Sequence, residues 1–193
     1  MLNKISNILA QSLIKSMKDV KYDQEVYVYG FELVISTLTC WTMIVITSLL
    51  LSNAISGIIF IATFSTLRIF AGGYHAKSYS KCLVISNLFY IVLLMIRYVL
   101  SDMNILIWLS LFLVCSRYIL KRAPIINSNQ PISACKRKMC RRNIQWLLNL
   151  DTLVILICAI LNKNIANMMI LSIMLVAALM LISDEHIIGR KEV

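Results

Sequence analysis

Six apolar runs, at about residues 31–51, 55–67, 83–100, 105–120, 144–161 and 168–182, occupy more than half of a 193-residue chain. Runs of this kind decide the solvent before any motif is considered. A helix rises about 1.5 Å per residue, so roughly 20 apolar residues cross a hydrocarbon core. In lipid every backbone amide must find its partner inside the segment, which leaves the helix as the economical solution for a lone run. Hydrophobic residues make up 60% of the chain and charged ones 15%, too few to cover a water-facing exterior. Several runs are shorter than an unaided span. The second has 13 residues before Arg68 and recruits flanking residues such as Phe70 and Ala71. Shielding by neighbouring helices or local thinning of the bilayer accommodates such segments. The turns at 52–54, 101–104 and 162–167 are too short to hold a folded domain, so the runs pair as helical hairpins. The expected architecture is an all-α integral membrane protein, one membrane domain over residues 1–193 with six transmembrane helices.

Residues 2–18 form a different kind of segment. Leu2, Ile5, Ile8, Leu9, Leu13 and Met17 recur at helical spacing opposite Asn3, Lys4, Asn7, Gln11 and Lys15. The segment lacks the continuous apolar core of a cleavable signal peptide. An amphipathic helix is expected, either lying in the membrane interface or packed on the rest of the protein.

The net charge of +10 is distributed as a topology signal. With the N-terminus inside, the inner segments carry Lys4, Lys15, Lys18, Lys21, Arg68, Lys77, Lys81, Lys121, Arg122, Lys136, Arg137, Lys138, Arg141, Arg142, Arg190 and Lys191. The outer turns carry only Lys163. Such a bias puts both termini and the 121–143 loop in the cytoplasm of a multi-pass membrane protein. The same basic residues sit in short polar segments without a basic-aromatic stripe, so no nucleic acid partner is expected.

Cysteine usage excludes more than it suggests. Of the six cysteines, Cys40, Cys115 and Cys158 lie within apolar runs and read as small hydrophobes. Cys82, Cys135 and Cys140 fall on the reducing side, against structural disulfides. Cys135 and Cys140 have no second Cys/His pair nearby, and the histidines are His75 and His186 alone, so neither a zinc site nor any other metal or cofactor is expected. Glu32 and Arg97 lie near helix ends, where long side chains reach the interface. Asp151 lies about 10 Å into its helix and needs an interior partner, for which Arg117 is the candidate.

The stretch that carries chemistry is Arg68-Ile-Phe-Ala-Gly-Gly-Tyr-His75-Ala-Lys-Ser-Tyr-Ser-Lys-Cys82. It begins where the second run ends, and Cys82 opens the third. Gly72 and Gly73 allow backbone conformations closed to other residues and close approach of another chain. A cysteine nucleophile needs a base to take its proton and later return it to a leaving amine, the role open to His75. The partial positive charge of a helix N-terminus, with Lys77, Lys81 and Arg68 nearby, favours the thiolate of Cys82. Arg68 or the Gly72–Gly73 amides could donate to a tetrahedral oxyanion. Seven helical steps would separate His75 from Cys82 by about 10.5 Å along the axis, so a straight helix over 75–82 is not expected. Spacing alone leaves the bland readings open: a buried small residue and a surface histidine.

The pattern Arg-x3-Gly-Gly-x-His-x6-Cys, set between the second and third of six apolar runs, resembles the AgrB (accessory gene regulator protein B) family. The likeness extends to the amphipathic N-terminus and to the basic loop after the fourth run. It implies a cysteine endopeptidase in the cell membrane of a Gram-positive bacterium. Such an enzyme cuts the C-terminal part from a small amphipathic, AgrD-like propeptide and helps cyclise the product to a thiolactone or lactone signal for quorum sensing. On that resemblance Cys82 is the nucleophile and His75 its base, with Arg68 and Gly73 at positions the family needs. The family's propeptides carry acidic C-terminal regions, complementary to a basic inner face. Short helices and intramembrane polar groups fit a homodimer. The rival readings are a small peptide transporter or binding protein without proteolytic activity, with Asp151 and Arg97 lining a path, and a structural subunit in which Gly-Gly is only a turn.

Overall fold

Apolar residues cover nearly every face of the chain's last helix, and that pattern places it at the centre of the bundle. The structure, a computed structural model, describes residues 2–16, 23–72, 79–125 and 134–188. In order these form α1 (Leu2–Ser16), α2 (Gln24–Leu50), α3 (Ala54–Phe60), a π-helical turn (Ile61–Ser65), α4 (Thr66–Ala71), α5 (Tyr79–Val99), α6 (Ile105–Arg122), α7 (Ala134–Leu161) and α8 (Lys163–Ile188). α8 packs against α3, α4, α5, α6 and α7, and buries an unbroken stretch from Ala166 to Ile173 together with Val176, Ala177 and Met180. A helix apolar all round belongs in such a position.

α1 settles the choice left open by its periodicity. Ser6 and Ala10 are fully buried, α1 packs along α2, and Asn3 donates through Nδ2 to Glu32 Oε1 at 3.0 Å. Ile5, Ile8, Leu9 and Leu13 stay exposed. The small and polar face therefore docks on the protein while the apolar face is left for lipid, so the helix is both packed and amphipathic towards the membrane.

Among the described residues, α2, the α3–α4 unit, α5, α7 and α8 are each long and apolar enough to cross a bilayer, five where six were expected. α6 is the difference. It has 18 residues but contains Arg117 and ends on Lys121 and Arg122, which shortens its apolar stretch. Even so it packs along α8 and buries Trp108, Phe112, Ser116 and Ile119 as one stripe. The α7–α8 turn is also tighter than the expected 162–167. Asn162 alone separates the helices, its N–H bonding Cys158 O and its Oδ1 accepting from Asn164 N at 3.1 Å.

Polar contacts set the register of the first three spans. Thr47 Oγ1 donates to Asn87 Oδ1 at 3.1 Å, tying α2 to α5. At the hairpin turn, Arg97 donates to Ser56 Oγ and to Asn53 Oδ1, both at 2.7 Å. Arg97 thus clamps the α2–α3 turn onto α5 rather than reaching away to an interface. Gly57 lets α2 and α3 meet: a Cβ there would stand 2.6 Å from Ser48 Cβ. Small residues at helix crossings do this in membranes, where close packing supplies much of the attraction. Arg117 is not the partner of Asp151. It is exposed, and Asp151 Oδ2 is buried without a hydrogen bond among the described residues.

Candidate active site

The second span reaches the site through an irregular helix. Residues 61–65 form the π turn, which changes by about 100° the face on which later residues lie. Trp41 of α2 braces it, donating from Nε1 to Ser65 Oγ at 3.1 Å. Three residues on, Arg68 reaches forward to the end of its own helix and donates from Nη1 to the carbonyl oxygen of Gly72 at 2.8 Å.

Gly72 ends the span in a conformation only glycine adopts cheaply, with φ 71° and ψ −156°. It also pairs in parallel with Ile125, the residue that follows Pro124 beyond α6. Ile125 N–H donates to Ala71 O at 3.0 Å, and a Cβ on Gly72 would lie 2.7 Å from the Ile125 carbonyl oxygen. Gly72 therefore has two physical reasons to be glycine.

Cys82 lies in the first turn of α5, exposed, and its sulfur and the Arg68 guanidinium are within electrostatic reach. Cys40 of α2 faces the same region, with the Ser86 hydroxyl in hydrogen-bond reach of its thiol. Ser86 stands one turn after Cys82 on the same face of α5. Cys82 is also within electrostatic range of Cys40.

His75 and Gly73 lie outside the described residues, as does the 75–78 part of the segment for which a straight helix was not expected. Of the residues singled out in the sequence, the structure joins Arg68 to Gly72 and leaves Cys82 within electrostatic range of Arg68. Sequence reading missed Ile125, Ser86 and the Trp41–Ser65 brace, whose partners lie 53 positions from Gly72, on another span from Cys40, and 24 positions apart. A cleft of about 600 Å³ is found elsewhere, between α1 and α2, lined by Asn3, Asn7, Gln24, Glu25 and Glu32 among others. Among the described residues no group of His, Cys, Asp and Glu is arranged to hold a metal ion.

A profile of the family Accessory gene regulator B matches residues 2–182. The chain belongs to the AgrB family. An AgrB-like protein of Clostridium perfringens (strain SM101 / Type A) is 24% identical over 182 residues, covering 91% of this chain and 85% of that relative. AgrB-like protein 2 of Clostridium perfringens (strain 13 / Type A) is 26% identical over 144 residues, covering 72% and 67%. No solved structure matches the chain. AgrB membership ties this multi-pass membrane protein to the processing of a quorum-sensing peptide.

Proposed function

We propose that the chain is a membrane-embedded cysteine endopeptidase acting on a small amphipathic, AgrD-like propeptide, with Cys82 as nucleophile and His75 as base. The observation that supports this reading is that Arg68, which ties off the glycine-ended second span, lies within electrostatic range of Cys82 in the first turn of α5. A guanidinium has five donors, so an arginine that holds the Gly72 carbonyl can also face a tetrahedral oxyanion.

The reaction is acyl transfer. His75 takes the thiol proton as the Cys82 sulfur attacks the scissile carbonyl carbon. The C–N bond then breaks, His75 protonates the leaving amine, and the N-terminal part of the peptide stays on Cys82 as a thioester. A cysteine thiol or serine hydroxyl of the bound peptide attacks that thioester, gives up its proton, and releases Cys82 with closure of a thiolactone or lactone ring. Exchange of one thioester for another is nearly isoenergetic, whereas hydrolysis is downhill, so water must be kept away.

The distribution of basic residues favours a cytoplasmic site, with both termini on that side of the cell membrane of a Gram-positive bacterium. Lys136, Arg137, Lys138, Arg141 and Arg142 are exposed on the first turns of α7 and offer complementarity to an acidic peptide tail. A homodimer fits an exposed Cys82 that a second copy would shield from lipid. The test is cleavage of a synthetic propeptide with an acidic tail and an internal cysteine, by the full chain in nanodiscs. No cleavage by the wild-type chain would return the transporter or binding reading, and cleavage that survives Cys82→Ala would remove Cys82 as the nucleophile.

A further inference from the structure

We propose that the outward face of α7 is a binding site for an anionic phospholipid. Lys138 and Arg142 take the headgroup phosphate, Trp146 lies where headgroup meets chain, and Leu150, Leu153 and Ile157 run along the acyl chains. The site is independent of the reading of Cys82 and His75, and the two can fail separately.

Burial separates two faces of α7. Cys140, Ile144, Leu148 and Ile155 are buried at helical spacing, so that face packs on the protein. Lys138, Arg142, Trp146, Leu150, Leu153 and Ile157 follow one another at steps of four or three residues, and all six are exposed. At about 100° per residue they form one stripe on the opposite side of the helix. Its chemistry changes along the axis: two cations, then an indole, then three aliphatic side chains.

That order is the order of a bilayer leaflet, read from water inward. Counted from Ile144, where the apolar run opens, Arg142 lies about 3 Å and Lys138 about 9 Å outside. The headgroup layer is roughly 5–8 Å deep on each side of the hydrocarbon. Arg142 therefore falls within it, and the long side chain of Lys138 reaches it from its outer edge. Trp146 lies about 3 Å inside the same boundary and is 73% exposed. Indoles settle at that depth, with the ring in the apolar layer and the N–H towards the headgroups.

The charge calls for an anion from outside the helix. α7 has no acidic residue in its first turn, and cations near a helix N-terminus gain nothing from the macrodipole, which is positive there. Two cations beside one phosphate favour a lipid with net negative charge over a zwitterionic one. A phospholipid also fits better than a soluble acidic peptide, because the cations, the indole and the aliphatic residues share one continuous face. A peptide in water would use only the charged end of it.

The experiment uses the full chain in detergent, given equal amounts of dioleoyl phosphatidylglycerol and dioleoyl phosphatidylcholine, with retained lipid counted by native mass spectrometry. We expect wild type to retain phosphatidylglycerol preferentially. Lys138→Gln with Arg142→Gln should lower that preference by between about fivefold and thirtyfold. Lys4→Gln with Lys15→Gln, which removes two exposed cations from α1, should leave it unchanged. Phosphatidylglycerol with brominated chains should quench tryptophan fluorescence more than brominated phosphatidylcholine, and Trp146→Phe should remove the difference. If the α7 double variant does not accumulate, Arg142→Gln alone is read in the same way. An equal loss in the α1 variant would show attraction to charge in general and overturn the site. Displacement of the lipid by glycerol phosphate would assign the cations to a free phosphate instead. Unchanged lipid preference in the α7 variant, with weaker binding of a fluorescent acidic peptide, would give the pair to a peptide and overturn the proposal.

Discussion

The Arg68 guanidinium holds the carbonyl oxygen of Gly72 at 2.8 Å and lies within electrostatic reach of the Cys82 sulfur, linking the end of one span to the start of the next. An arginine suits both tasks because its planar fork can donate in two directions, whereas a lysine offers a single flexible point charge. Arg68→Lys should therefore behave almost as badly as Arg68→Ala, each lowering cleavage by about a hundredfold while the protein still reaches the membrane. Full activity in Arg68→Lys would show that charge alone suffices.

Cys82 is the cysteine the account needs. Cys40, Cys115 and Cys158 are partly buried among core side chains, and Cys140 is buried, so their loss should cost packing and not chemistry. Six single Cys→Ala variants, compared for propeptide cleavage at equal membrane abundance, should separate into one dead and five active proteins. Cys40 is the informative control, since its thiol is within electrostatic range of Cys82. Loss of cleavage in Cys40→Ala with normal abundance would mean that the neighbouring thiol takes part.

Much of the architecture is legible in the sequence because lipid imposes a simple rule: apolar residues at span length become helices. That rule finds α2, α5, α7 and α8, but α2 begins seven residues and α7 ten residues before its apolar run, because polar and basic turns extend the helices beyond the hydrocarbon. It also finds α6, which matches its run closely, although Arg117, Lys121 and Arg122 cut into the apolar count, and packing against α8 buries a continuous stripe. Of the site, Arg68, Gly72 and Cys82 announce themselves through residue type and spacing. Ile125 does not, because its contribution is a main-chain amide and carbonyl that any residue but proline would supply. The π turn at Ile61–Ser65 is equally silent, since no residue in it differs in kind from its neighbours.

The α2–α3 hairpin depends on Gly57. An added Cβ would meet Ser48 Oγ as well as Ser48 Cβ at 2.6 Å, backbone-proximal atoms with little room to move. Gly57→Ala should destabilise the folded protein by about 1–3 kcal/mol. Thermal unfolding in detergent measures this, and Ser48→Gly in the same chain should recover part of the loss. Additive effects of the two substitutions would contradict the contact.

Topology has its own test. Single cysteines at Ser52, Asn104 and Asn164, introduced into a cysteine-free chain, should react with an impermeant maleimide applied to intact cells. One at Met139, exposed on the basic end of α7, should react only after the cells are opened. Labelling of the Met139 position from outside would invert the arrangement and move the site to the outer face.

The most direct measurement of the central claim is to trap the acyl-enzyme. The full chain in nanodiscs is incubated with a synthetic propeptide whose ring-closing cysteine is replaced by alanine, quenched with acid and read by intact-mass spectrometry. The account predicts an adduct with the mass of the N-terminal fragment, mapped to Cys82, released by hydroxylamine and absent in Cys82→Ala and His75→Ala. Cleavage of the intact propeptide at the wild-type rate by Cys82→Ala, with no adduct on any cysteine, would contradict it.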